Sequence, residues 1–186
     1  IEAANALKPD YIGFVFAKDS RRYISPENAA VLKSRLSPEI SAVGVFVNER
    51  PECIASLLDD GVIDLAQLHG DEDEAYIDRL KGLTGKPVIK AFRISSASEA
   101  VKASASSADM ILLDSGTGSG RTFNWQLIKE IRRPYFLAGG LDPVNAGDAV
   151  RLLDPWAVDV SSGIETDGLK DIKKMAAFAA AVRKTV

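Results

Sequence analysis

Seven short apolar runs punctuate the chain: YIGFVF (Tyr11–Phe16), AVGVFV (Ala42–Val47), LAQL (Leu65–Leu68), VIKAF (Val88–Phe92), MILL (Met110–Leu113), YFLA (Tyr135–Ala138) and AVDV (Ala157–Val160). Each ends at polar or glycine residues and is followed by a helical pattern, the spacing of a strand–helix unit. Strands alternating with helices predict a parallel sheet. Their almost continuous apolar character predicts that both faces of that sheet are covered. Two architectures satisfy this pattern, the open doubly wound sheet and the closed (β/α)8 barrel. The chain opens on a helical segment, Ile1–Leu7, with no strand ahead of it. Seven units and an orphan helix fit the barrel better. The expected fold is therefore α/β, a TIM (β/α)8 barrel with seven of its eight strands present, residues 1–186 forming a single, N-terminally incomplete domain.

Composition narrows this picture. A chain of 186 residues, 46% of them hydrophobic, is ample for one core but falls about one strand and loop short of the ~200 residues an eight-unit barrel takes. A formal net charge of −3, with no clustered Lys and Arg, argues against nucleic acid as a partner. The single cysteine, Cys53, excludes an internal disulfide framework, and no Cys/His spacing marks a metal site. No run approaches the ~18 apolar residues of a membrane span, and no leader segment is visible. The expectations are a cytoplasmic location, no membrane partner and a monomer or homodimer. Ser25-Pro26-Glu27 and Asp142-Pro143 carry the punctuation of helix starts, a capping side chain followed by proline.

The chemistry of a barrel lies in the loops after its strands. The longer ones are Ala17–Tyr23 (AKDSRRY) and Asp114–Asn124 (DSGTGSGRTFN). Gly139-Gly140 follows the sixth apolar run and Ser162-Gly163 the seventh. Consecutive glycines admit an anion close to the backbone, and N–H groups near a helix start supply partial positive charge. Alone, either pair reads equally as a tight turn or a cap, but neighbouring strand ends that both carry one point to phosphate. Asp114, first past MILL, fits a general acid or a loop-capping carboxylate. Arg21-Arg22 offers forked donors for a carboxylate or phosphate, or a solvated surface charge. His69, the only histidine, reads as a pocket residue or a hydrogen-bonded bystander.

The strings DYIGFVF with SRRYIS, VGVFVNE, AQLHGDE, ILLDSGTGSGRTFNW, LAGGLDPVN and AVDVSSGIE occur in order over nearly the whole chain. Together they resemble phosphoribosylanthranilate isomerase. The resemblance implies a barrel that converts N-(5′-phosphoribosyl)anthranilate to 1-(2-carboxyphenylamino)-1-deoxyribulose 5-phosphate by an Amadori rearrangement in tryptophan biosynthesis, with no metal or organic cofactor. An acid protonates the furanose oxygen to open the ring to a Schiff base; a base then removes the C2′ proton. Asp114 matches the family's acid and Arg22 the residue that holds the anthranilate carboxylate. Gln67, His69 and Asp159 align with pocket positions, and Gly139, Gly140, Ser162 and Gly163 with the phosphate cradle. The family's base is a cysteine in a KICG-like segment that this sequence does not contain. Cys53, in ERPECIASLL, is not carried over and reads as a helix residue. The 186 residues alone are therefore expected to be inactive. The competing readings are a non-catalytic phosphate-binding or interaction module, and another phosphosugar barrel enzyme. Indoleglycerol-phosphate synthase would need strand-end lysine and glutamate, and ribulose-phosphate epimerase a histidine metal set.

Overall fold

A computed structural model describes residues 1–114, 125–129 and 131–185. Within the loop expected at Asp114–Asn124, everything past Asp114 lies outside the described residues. The chain divides into two compact units, residues 1–91 with 107–110, and residues 92–106 with 111–186.

The first unit follows the predicted alternation closely: α1 (Glu2–Leu7), β1 (Tyr11–Val15), α2 (Pro26–Arg35), β2 (Ser41–Phe46), α3 (Pro51–Asp59), β3 (Leu65–Leu68) and α4 (Glu74–Thr84), leading into β4 (Val88–Arg93). Strands β1 to β4 pair in parallel and in chain order. Helix starts are set by capping side chains. Ser25 Oγ accepts the Asn28 N–H at the head of α2, and Asp73 accepts the Tyr76 N–H at 2.8 Å at the head of α4. Helix α4 ends on Gly85, in the left-handed region that closes a helix at little cost.

In β3 all four residues are buried, and alternation decides against what. Ala66 and Leu68 join a core with Phe46, Ile54, Leu58, Ile77, Leu80 and Val88, the side on which α3 and α4 pack. Leu65 and Gln67 turn to the opposite face. Each fully buried Leu, Ile or Phe contributes roughly 1.5–3 kcal/mol, and the stacked rings of Phe16 and Phe46, 5.1 Å apart, fill the layer above β1 and β2.

The second unit holds α5 (Ala97–Ala105), β5 (Met110–Asp114), β6 (Tyr135–Leu137), α6 (Ala146–Leu153), β7 (Ala157–Val158) and α7 (Ile172–Arg183). Here β5, β6 and β7 run parallel. Ser96 and Glu99 form a reciprocal capping box on α5. The core comprises Ile94, Ile111, Leu113, Ile128, Tyr135, Leu137, Leu141, Ala146 and Phe178. Burial, with Asp154 nearby, pushes the Tyr135 phenol up to about 12; its hydroxyl donates to the Leu153 carbonyl at 2.7 Å.

Two local features differ from expectation. Asp142-Pro143 does not cap a helix: Asp142 Oδ1 accepts the N–H groups of Val144 and Asn145 in a turn, and α6 starts afterwards with Asn145 as its cap residue. The short side chain reaches N–H groups two and three residues ahead whether or not a helix follows. After β7 the chain forms a small antiparallel hairpin, β8 (Glu165–Thr166) and β9 (Leu169–Lys170). Its turn is Asp167-Gly168, both with positive φ, the dipeptide that suits a two-residue hairpin loop.

Candidate active site

In the first unit the polar candidates stand at or just past strand ends, Gln67 and His69 on the face of β3 turned away from the helices. Gln67 is only 6% exposed, and its amide lies 2.9 Å from His69 Nδ1, a pairing made possible because residues two apart on a strand share a face. The His69 N–H donates to the Phe46 carbonyl at 2.8 Å, extending the β2–β3 ladder one step past β3. Arg22 is half-buried on the loop after β1. There its backbone N–H donates to Ser20 Oγ at 3.1 Å, and Tyr23 bridges back to Val15, which holds the arginine beside the end of its strand. Cys53 is exposed on α3, in keeping with its reading as a helix residue.

The second unit brings together the remaining candidates. Leu113 pairs with Leu137 and Leu137 with Val158. The Ala138 and Asp159 N–H groups then donate to Leu113 and Leu137, both at 2.8 Å. The next row of the ladder is thus Asp114, Ala138, Asp159. Both aspartates fall on the face opposite Ile111, Leu113, Leu137 and Val158, which belong to the core side. With neighbouring strands about 4.8 Å apart, the backbones of the two aspartates are set roughly 10 Å from one another along the sheet.

Just beyond this row, the loops after β6 and β7 meet backbone to backbone. Gly139 and Gly140 have φ of 88° and 66°, a conformation costly for residues with a Cβ. Gly163 lies in a short 3-10 turn, Ser162–Ile164, pressed against the first loop so closely that a Cβ there would stand 1.9 Å from the Leu141 carbonyl oxygen. Among the described residues, no acceptor takes the N–H groups of Gly139, Gly140, Ser162 and Gly163. Uncommitted backbone donors on two adjoining loops are suited to an anion. Lys170 Nζ, bonded to the Ser161 carbonyl at 2.9 Å and to Glu165 at 3.0 Å, places a cation one residue from this loop.

Sequence reasoning did not single out Lys170, Glu165, Lys90 or Glu72. The Asp-Gly turn signalled the hairpin that carries Lys170, and a lysine inside the apolar run VIKAF signalled a buried charge in need of a partner.

Comparison with known proteins supplies the rest. The family model described as N-(5′-phosphoribosyl)anthranilate (PRA) isomerase matches residues 1–181. N-(5′-phosphoribosyl)anthranilate isomerase of Endomicrobium trichonymphae is 46% identical over 180 residues, covering 94% of this chain and 88% of its own. The phosphoribosyl anthranilate isomerase of Thermotoga maritima superimposes with a TM-score of 0.89 at 36% identity, over 98% of this chain and 92% of that one. A phosphoribosyl anthranilate isomerase structure in complex with reduced 1-(o-carboxyphenylamino)-1-deoxyribulose 5-phosphate matches at 0.87 and 35% identity, over the same shares of the two chains. The fold is thus α/β of the TIM-barrel class, with seven parallel strands among the described residues. The chain belongs to the N-(5′-phosphoribosyl)anthranilate isomerases, the aldose–ketose isomerases of tryptophan biosynthesis.

Proposed function

We propose that Asp114 is the general acid of the isomerisation, that Arg22 takes the anthranilate carboxylate, and that Gln67, His69 and Asp159 are substrate-binding residues. Gly139, Gly140, Ser162 and Gly163 hold the 5′-phosphate. The observation that carries this reading is the backbone cradle of the second unit, where Gly163 abuts Leu141 and four N–H groups are left for a ligand. A phosphate there is tethered just past the strand ends that bear Asp114 and Asp159. In this reading Asp114 protonates the ring oxygen as the C1′–O bond breaks and the nitrogen lone pair forms the Schiff base. Transfer of the C2′ proton to a base, the part played in the family by the cysteine of the KICG-like segment, then yields the enolamine, which tautomerises to the ketose. Proton transfer to the leaving oxygen by a positioned acid is worth roughly 10²–10⁴ in rate.

The reading also carries over a single domain, a cytoplasmic location, and neither metal nor organic cofactor. A Thermotoga maritima member is described as dimeric, with monomers generated from it, and we extend to this chain the choice between monomer and homodimer. Titration with inorganic phosphate, followed by backbone amide NMR, tests the cradle: the Gly139, Gly140 and Gly163 amides shift together at millimolar phosphate. Unmoved glycine amides would sink it.

A further inference from the structure

Deep in the first unit lies an ion pair that no part of the chemistry above uses. Lys90 Nζ is 2.8 Å from Glu72 Oε2, with side chains only 6% and 1% exposed. Lys90 belongs to β4, in register with Leu68 of β3, so it points to the helix side; Glu72 sits in the loop after β3.

The pair is wired into the backbone of two loops. Lys90 Nζ also donates to the Gly70 carbonyl at 2.7 Å. The Glu72 carboxylate accepts the Gly70 N–H at 2.9 Å and the Asn48 N–H at 2.7 Å. Asn48 Oδ1 accepts the Asp71 N–H at 2.8 Å, with Asn48 itself in the left-handed region at φ 52°. Gly70 fits against Asn48 so tightly that a Cβ would lie 2.4 Å from Asn48 Oδ1 and 2.9 Å from its backbone nitrogen. The loops after β2 and β3 are thus tied to β4 through one pair of charges.

Stability does not explain this arrangement. Desolvating two ions costs about what their attraction returns, and apolar side chains of equal volume often hold a core as well or better. Apolar side chains cannot, however, fix two N–H groups and a carbonyl at once. Those groups belong to Gly70, the residue after His69, and to Asn48 on the neighbouring loop.

We propose that Lys90 and Glu72 are positioning residues for the substrate pocket: they lock the Gly70 backbone so that the Gln67–His69 pair keeps the orientation in which it meets the substrate. This rests on the reading of Gln67 and His69 as pocket residues.

Because His69 is the only histidine in the chain, 15N-histidine labelling reports a single imidazole. The decisive variant is Lys90→Met combined with Glu72→Gln, which removes both charges at similar volume. The expected result is a folded protein with a cooperative melt and a displaced or broadened His69 imidazole signal. Its affinity for reduced 1-(o-carboxyphenylamino)-1-deoxyribulose 5-phosphate falls by roughly 3–30-fold, the usual size of such indirect coupling. Inorganic phosphate, held by the second unit, binds as before. On a His69→Ala background the double substitution adds little further loss.

A folded double variant with an unchanged imidazole and unchanged analogue affinity overturns the proposal. If instead His69→Ala and Gln67→Ala each bind the analogue as the unmodified chain does, the pocket reading itself falls and the proposal with it. Should the double variant not fold, Asn48→Gly keeps the left-handed backbone and cuts only the Asn48–Asp71 link. It should show the same signature in weaker form, and wild-type behaviour there overturns the proposal equally.

Discussion

In the first unit, side chains hold the strand-end loops: a buried lysine and glutamate grip the Gly70 and Asn48 backbones. The loops after β6 and β7 in the second unit meet backbone to backbone where Gly163 abuts Leu141, while Asn145 and Lys170 brace each loop separately through the Gly140 and Ser161 carbonyls. The difference suits what each is left to offer. Loops tied by side chains can present further side chains in fixed poses, here His69 against Gln67 of β3. Loops tied by close backbone approach keep N–H groups uncommitted to side chains, the donors that a phosphate needs. The first arrangement is vulnerable to loss of charge, and the second to added volume.

The largest expected effect lies outside both devices and separates chemistry from scaffolding. Asp114→Asn keeps the side chain's shape but cannot deliver a proton, so in a version of the protein that also carries the family's KICG-like cysteine segment, kcat should fall by roughly 10²–10⁴ with little change in KM. Near-normal turnover would remove Asp114 from its role as acid.

Breaking the first unit's pair on one side only comes next. Lys90→Met leaves the Glu72 carboxylate buried without its cation and should cost about 3–5 kcal/mol of stability, read as a drop in thermal midpoint. A loss under about 1 kcal/mol would mean that water or the loop relaxes to solvate Glu72.

The second unit should answer to volume and not to side-chain chemistry. Gly163→Ala forces a methyl against a backbone carbonyl and is expected to cost about 1–3 kcal/mol in strain or displacement, seen as weaker phosphate binding by calorimetry. Ser162→Ala, with its backbone donor intact, should bind phosphate within about 3-fold of the parent, since an exposed hydroxyl adds at most a weak hydrogen bond. If the serine matters more than the glycine, the contrast between the units is wrong.

The smallest effect concerns pH and the first unit's frame. Burial raises the Asp109 carboxyl, but the Val88 N–H at the start of β4 and the Lys81 ammonium outweigh it and hold the group below its ordinary range. A depressed carboxyl stabilises fully above its unfolded value, about 3.9, and loses that contribution as pH falls through the folded value. The stability advantage over Asp109→Asn should therefore be constant from neutrality to about pH 5 and shrink below about 4. An advantage that persists at pH 2 would contradict the assignment.

Most of the architecture was readable in the residues themselves. Apolar runs at strand length and the Ser25 cap act over a few residues, so local sterics and burial determine them. All seven apolar runs became strands, with ends shifted by at most two residues. Asp142-Pro143 was misleading because an aspartate turn and a helix cap share the same first hydrogen bonds. Candidate site residues could be named through their motifs, and Gly139-Gly140 through its backbone freedom, because those requirements belong to single positions.

Register and close approach were another matter. Nothing local says that Asp114 and Asp159 share a row of the sheet, that Gly163 must be bare because Leu141 lies against it, or that Lys90 finds Glu72 eighteen residues away. Such pairings join segments far apart in the chain and are selected only when the strands stack and exclude water. The sequence by itself determined which residues could bear charge, turn or cap; the packed sheet decided which of them meet, since a contact's energy depends on partners that only folding brings within reach.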